Sequence, residues 1–143
     1  METLLKSEDA LRQAAEALAL TLTRGTEAAV VALHGELGAG KTAFVQALAR
    51  HWGVADRVVS PTFLLERVYD LPQGPFERLV HIDAYRLEGA EDLAPLGWEG
   101  IKEDPGNLIC IEWAERVSEA LPEHTVHLTL SHAPSGRKLA YGS

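Results

Sequence analysis

Leu11, Ala14, Ala15, Leu18 and Leu22 recur at helical spacing and give one apolar face near the start of the chain. Ser7 is placed to cap this helix, Glu8 and Asp9 favour the positive end of its dipole, and the spacing predicts a helix from Ser7 to about Leu20. Arg24-Gly25-Thr26 ends it. The pattern then changes. Ala28 to Leu33 is almost wholly apolar, which suits a strand covered on both faces, as in a parallel sheet. Gly35, Gly38 and Gly40 follow, then a second amphipathic helix from Lys41 to about Trp52.

Further along, Thr62 to Tyr69 and Arg78 to Ile82 read as two strands of a hairpin, joined through Pro72, Gly74 and Pro75. Glu88 to Leu93 and Trp98 to Lys102 suit short helical turns. Asn107 to Ile111 is a second apolar strand, and a helix is expected from Ala114 to Ala120, broken by Leu121-Pro122. Val126 to Leu130 alternates, and Arg137 to Tyr141 is expected to pair with it across Pro134-Ser135-Gly136. Without a repeat or linker, residues 1–143 are expected to form one domain.

Gly35-Glu36-Leu37-Gly38-Ala39-Gly40-Lys41-Thr42 satisfies G-x-x-x-x-G-K-[ST] at every fixed position, between a strand and a helix as that motif requires. Glycines let the backbone curl, so that successive N–H groups from Glu36 through Ala43 face phosphate oxygens, and the helix start adds its dipole. Lys41 is expected to reach the β- and γ-phosphates, and the Thr42 hydroxyl to ligate Mg²⁺. The order of elements predicts an α/β, three-layer P-loop NTPase-like fold. Its mostly parallel central sheet carries antiparallel hairpins and is preceded by an N-terminal helix. The ligand expected from this loop is a nucleoside triphosphate with Mg²⁺.

Such a site needs an acid at the end of an apolar strand. Asp83 and Glu112 both qualify. The run ending in Glu112 is more apolar, hence more central, which favours Glu112 for the metal and Asp83 for positioning or activating water. Either acid read alone is also compatible with a simple strand end. In Ser60-Pro61-Thr62-Phe63 a loop enters a strand, where Thr62 suits a γ-phosphate sensor as well as a plain turn. His81 and Asp83 share a strand face but have no third metal ligand nearby in sequence. His124, His127 and His132 lack cysteine partners and suit solvated or edge-strand positions. Trp52 and Trp98 are expected in the core, whereas Trp113 directly follows a candidate metal acid.

The formal net charge of −8 disfavours direct gripping of nucleic acid by this chain. Cys110 is the single cysteine and sits in an apolar run, which suits an inert buried thiol and a reducing compartment. No apolar stretch is long enough to span a membrane, and the start lacks a secretion signal, so a cytoplasmic location is expected.

Four motifs in this order resemble the TsaE (YjeE) family of bacterial tRNA modification. They are Gly35 to Thr42, Ser60-Pro61-Thr62-Phe63, His81-Ile82-Asp83-Ala84-Tyr85-Arg86-Leu87 and Ile111-Glu112-Trp113, with a Gly136-Arg137 turn in addition. The resemblance covers nearly the whole chain; Ala84 stands where the family often has Leu. It implies a weak Mg-dependent ATPase that partners TsaB and TsaD in forming N6-threonylcarbamoyladenosine beside the anticodon of tRNAs reading codons that begin with A. The tRNA would be met only through those partners, with ATP turnover resetting the complex. It further implies that Thr42 and Glu112 hold Mg²⁺, that Lys41, Asp83 and Glu112 serve hydrolysis, and that Arg137 lies near the base. Asp83 and Trp113 would serve hydrolysis or partner coupling, and Thr62 would couple the site to partners.

Two other classes share the motif. A small-molecule kinase usually carries an arginine-bearing lid, and no arginine occurs between Leu87 and Asn107. A non-hydrolysing, nucleotide-gated scaffold would bind ATP without turning it over.

Overall fold

The computed structural model describes residues 2–55 and 65–141. Its elements run β1 (Glu2–Leu5), α1 (Glu8–Thr21), β2 (Ala29–Gly35), α2 (Lys41–His51), β3 (Glu66–Asp70), β4 (Arg78–Asp83), α3 (Trp98–Glu103), β5 (Asn107–Glu112), β6 (Val126–Ala133) and β7 (Gly136–Tyr141). Two 3₁₀ segments, Ala90–Leu96 and Ala114–Ala120, flank α3 and β5.

The strands form one sheet in the order β1-β7-β6-β2-β5-β4-β3. Its four central strands are parallel, β2 lying between β5 and β6, with β4 beyond β5. Antiparallel pairings occupy the margins: β3 on β4, β7 on β6, and β1 on β7. Thus the parallel centre and the two hairpins match the sequence pattern. β5, the more apolar of the two acid-bearing strands, is buried at all six positions and lies directly beside β2.

The all-apolar strands arise because both sheet faces are covered. On one face Val31, Leu33, Leu108 and Cys110 meet Leu11 and Leu18 of α1 and Phe44 and Leu48 of α2. On the other, Val30, Ala32, Ile109 and Ile111 meet Leu93, Trp98 and Val117. Three layers result. Trp52 and Trp98 are core residues, as expected. Cys110 is fully buried, and burial with the nearby Glu112 raises its thiol well above the ordinary range, so it is inert.

Ser7 caps α1, its hydroxyl accepting from the Ala10 N–H at 3.1 Å. Three local features differ from the sequence reading. A strand, β1, precedes α1; Leu5 is its one buried residue, and its order comes from pairing with β7. The Ala114–Ala120 segment is 3₁₀ instead of one helix, because the non-helical backbone of Val117 (φ −128°, ψ 26°) interrupts it. The other 3₁₀ segment runs on to Leu96 through Pro95, beyond the expected end at Leu93.

Candidate functional site

β2, β4 and β5 all end on the same side of the sheet, and parallel strands make their sites at their carboxyl ends. The register sets Leu33 opposite Glu112 and Glu112 opposite Asp83, a single row across three strands. Period-two alternation points both acids to the face covered by α2. Asp83 and Glu112 are only 5% and 4% exposed.

Between β2 and α2 the chain turns through Gly35 (φ 135°), Gly38 (φ 76°) and Gly40 (φ 106°), conformations that favour glycine. The Ala39 N–H donates to the Glu36 carbonyl at 3.1 Å, closing the turn. Leu37 stands out into solvent, while Ala39 is buried beneath the loop. Lys41 and Thr42 form the first turn of α2.

Lys41 Nζ donates to the Gly35 carbonyl at 2.7 Å and lies 3.5 Å from the centre of the Trp113 ring. Burial lowers its pKa, opposed in part by Glu112, Glu115 and Asp83. The Thr42 hydroxyl lies 3.0 and 2.9 Å from the two Glu112 carboxylate oxygens. Asp83 Oδ1 accepts the Tyr85 N–H at 3.0 Å, which orients the carboxylate at the strand end. Trp113 takes up a left-handed backbone (φ 57°) that turns the chain sharply after Glu112, and Tyr85 packs on its ring at 5.1 Å. Loop, acids and rings line a cavity of about 470 Å³ that includes Gly38, Lys41, Thr42, Asp83, Glu112 and Trp113.

Arg137, on β7, reaches the same loop from behind; a Cβ on Gly40 would sit 2.9 Å from its guanidinium Nη1. The structure therefore assembles Lys41, Thr42, Asp83, Glu112 and Trp113, with Arg137 against the loop's far side. Glu36, Leu37 and Ala43 flank these on the loop and helix start. Thr62, with the rest of Ser60-Pro61-Thr62-Phe63, lies outside the described residues.

Some contacts have no counterpart in the sequence reading. His81, set aside as half of an incomplete metal pair, meets Glu112 instead, Nε2 to Oε2 at 2.6 Å. The only sequence signal was its place two residues before Asp83; strand register decides the rest. His127 is no edge residue: it bonds His34 at 2.9 Å with rings stacked, and His34 meets Glu115 at 3.0 Å. His132 Nε2 lies 3.3 Å from the Leu37 carbonyl, and His124 Nε2 2.9 Å from that of Ala28.

A parallel sheet, a glycine turn leading into Lys41 and Thr42, and acids closing the neighbouring strands make this a P-loop NTPase-like fold. The crystal structure of Bacillus subtilis YdiB shares it, with a TM-score of 0.77 at 23% identity, over 99% of this chain and 83% of that one. Residues 5–139 match the family model described as "Threonylcarbamoyl adenosine biosynthesis protein TsaE". A tRNA threonylcarbamoyladenosine biosynthesis protein TsaE from Treponema pallidum is 41% identical, over 78% of this chain and 79% of that protein. Its counterpart in Rickettsia bellii is 33% identical, over 96% and 91%. The chain belongs to the TsaE family, which is assigned to tRNA threonylcarbamoyladenosine biosynthesis.

Proposed function

We propose that the chain, acting as one domain over residues 1–143, binds and slowly hydrolyses ATP with Mg²⁺ in the cytoplasm. In this reading it is the ATPase partner of TsaB and TsaD homologues and drives or resets that complex as N6-threonylcarbamoyladenosine is formed on tRNA. The observation that carries the reading is the convergence of Lys41, Thr42 and Glu112 at the head of the glycine loop, with Asp83 beside them.

The donors fit the group. A hydroxyl and a carboxylate are hard oxygen ligands of the kind Mg²⁺ takes beside phosphate and water, and here they lie 2.9 Å apart. Bound there by Thr42 and Glu112, Mg²⁺ would supply neutralisation of charge on the triphosphate. The loop N–H groups bind phosphate oxygens, and Lys41 exchanges its bond to the Gly35 carbonyl for the β- and γ-oxygens. Asp83 holds the attacking water in line and takes its proton. Trp113 packs over Lys41 and restricts water around the ammonium group. Arg137, packed against Gly40, is assigned to the neighbourhood of the base. The chain's acidic charge leaves tRNA binding to the partners. Trp113, and Thr62 in the Ser60 to Phe63 motif, couple the site to them.

Titration calorimetry with Mg·ATP tests the binding step: heat is expected from the native chain and little from Lys41→Ala. Phosphate release is expected to be weak alone and faster with TsaB and TsaD homologues, since a lone P-loop chain lacks a completed charge-stabilising shell. Equal rates with and without them would remove the coupling, and release that requires a phosphate acceptor would point to a kinase. Glu112→Ala is expected to damage hydrolysis more than Asp83→Ala damages metal binding. Loss of Mg²⁺ dependence in Asp83→Ala alone would reverse the two roles.

A further inference from the structure

His81 lies at the middle of the site's polar chain yet touches none of the space assigned to the nucleotide. It is fully buried on β4, beside Cys110 in the register and on the face beneath α2. Nε2 meets Glu112 Oε2 at 2.6 Å, and the Thr42 hydroxyl lies 2.9 Å from that same oxygen and 3.0 Å from Oε1. Its other nitrogen, Nδ1, has no hydrogen-bond partner among the described residues.

Facing a carboxylate oxygen, Nε2 is the donor of this pair: it carries the ring hydrogen and gives it to Glu112. The short bond, made from a buried ring on the sheet, fixes the orientation of the carboxylate.

We propose that His81 is a positioning residue for the metal: from the rigid sheet, it holds the Glu112 carboxylate in the orientation that Thr42 and Mg²⁺ share. This rests on the nucleotide reading above. Thr42 sits in the first turn of α2, whereas His81 and Glu112 lie on adjacent hydrogen-bonded strands, so the carboxylate ligand is set by the sheet itself. Hydrogen-bond partners of metal ligands typically change metal affinity by about 10- to 100-fold when removed.

The test compares the affinity for ATP with excess Mg²⁺ and with EDTA, by calorimetry, in the native chain, His81→Leu and His81→Gln. The ratio of the two affinities reports the metal alone. In His81→Leu the ratio is expected to fall by about tenfold or more while the EDTA affinity is unchanged. Glutamine can place a donor near the Nε2 position, so His81→Gln is expected to recover most of the ratio. A parallel fall of both affinities in His81→Leu would show mere structural damage and overturn the proposal, as would an unchanged ratio. In either case the nucleotide reading stands. If the native chain gave no heat with ATP under either condition, both would fall. Should His81→Leu fail to fold, nitrogen-15 NMR of the native imidazole decides: a hydrogen on Nε2 is expected, and a bare Nε2 overturns the assignment.

Discussion

A Cβ on Gly35 would run into the Leu130 carbonyl oxygen of β6, whereas one on Gly38 would meet nothing within 4 Å. Both residues have positive φ, so one is constrained by conformation and crowding and the other by conformation alone. Gly35→Ala is expected to lower stability by about 2–4 kcal/mol, since backbone must shift. Gly38→Ala should cost about 1–2 kcal/mol. Urea unfolding of the two variants checks the difference. At this scale the sequence made Lys41, Thr42 and the two acids visible because their spacing is local. The Thr42–Glu112 contact joins residues 70 apart. It could be anticipated only through the guess that the more apolar strand lies nearer the loop. The seat of His81 on Glu112 could not, because nothing local reveals which strand a buried histidine faces.

Among the elements, α1 and α2 were the most legible, for their apolar faces repeat and Ser7 supplies a cap. Ser7→Ala is expected to destabilise the chain by about 1 kcal/mol in thermal unfolding, with calorimetric ATP affinity unchanged, because the cap lies outside the site. β1 was missed for a physical reason: three of its four residues are exposed, and partners late in the chain determine its conformation. The 3₁₀ segments were expected as helical turns or a helix. Their tighter winding follows from Pro95 in one and the kink at Val117 in the other, each a small departure from a correct placement. Arg137 illustrates the same divide. Its place on a late strand was readable, but its packing on Gly40 depends on the position of β7 in the sheet.

For the whole molecule, the alternation of strands and helices indicated the layered fold, and two apolar clusters on opposite faces of one sheet account for it. Strand order was not readable, since it depends on crossovers rather than on local pattern. A ligand that binds only the folded chain stabilises all of it by mass action. Mg·ATP at about 100 times its Kd should therefore add about 2.7 kcal/mol. For a chain near this size, that raises Tm by about 5–10 °C in a thermal shift measurement. Lys41→Ala should abolish most of the rise.

Among the described residues, the outermost strands, β1 and β3, have only four and five residues, and charge is concentrated there: Glu2 is paired with Lys138, and Glu66, Arg67 and Asp70 lie along β3. A foreign segment attempting to extend the array by main-chain pairing would find a short, charged border at either end. The apolar parallel strands, which would best template such growth, are each paired on both sides by their own neighbours. The margins that frame the site therefore also act against fibre formation.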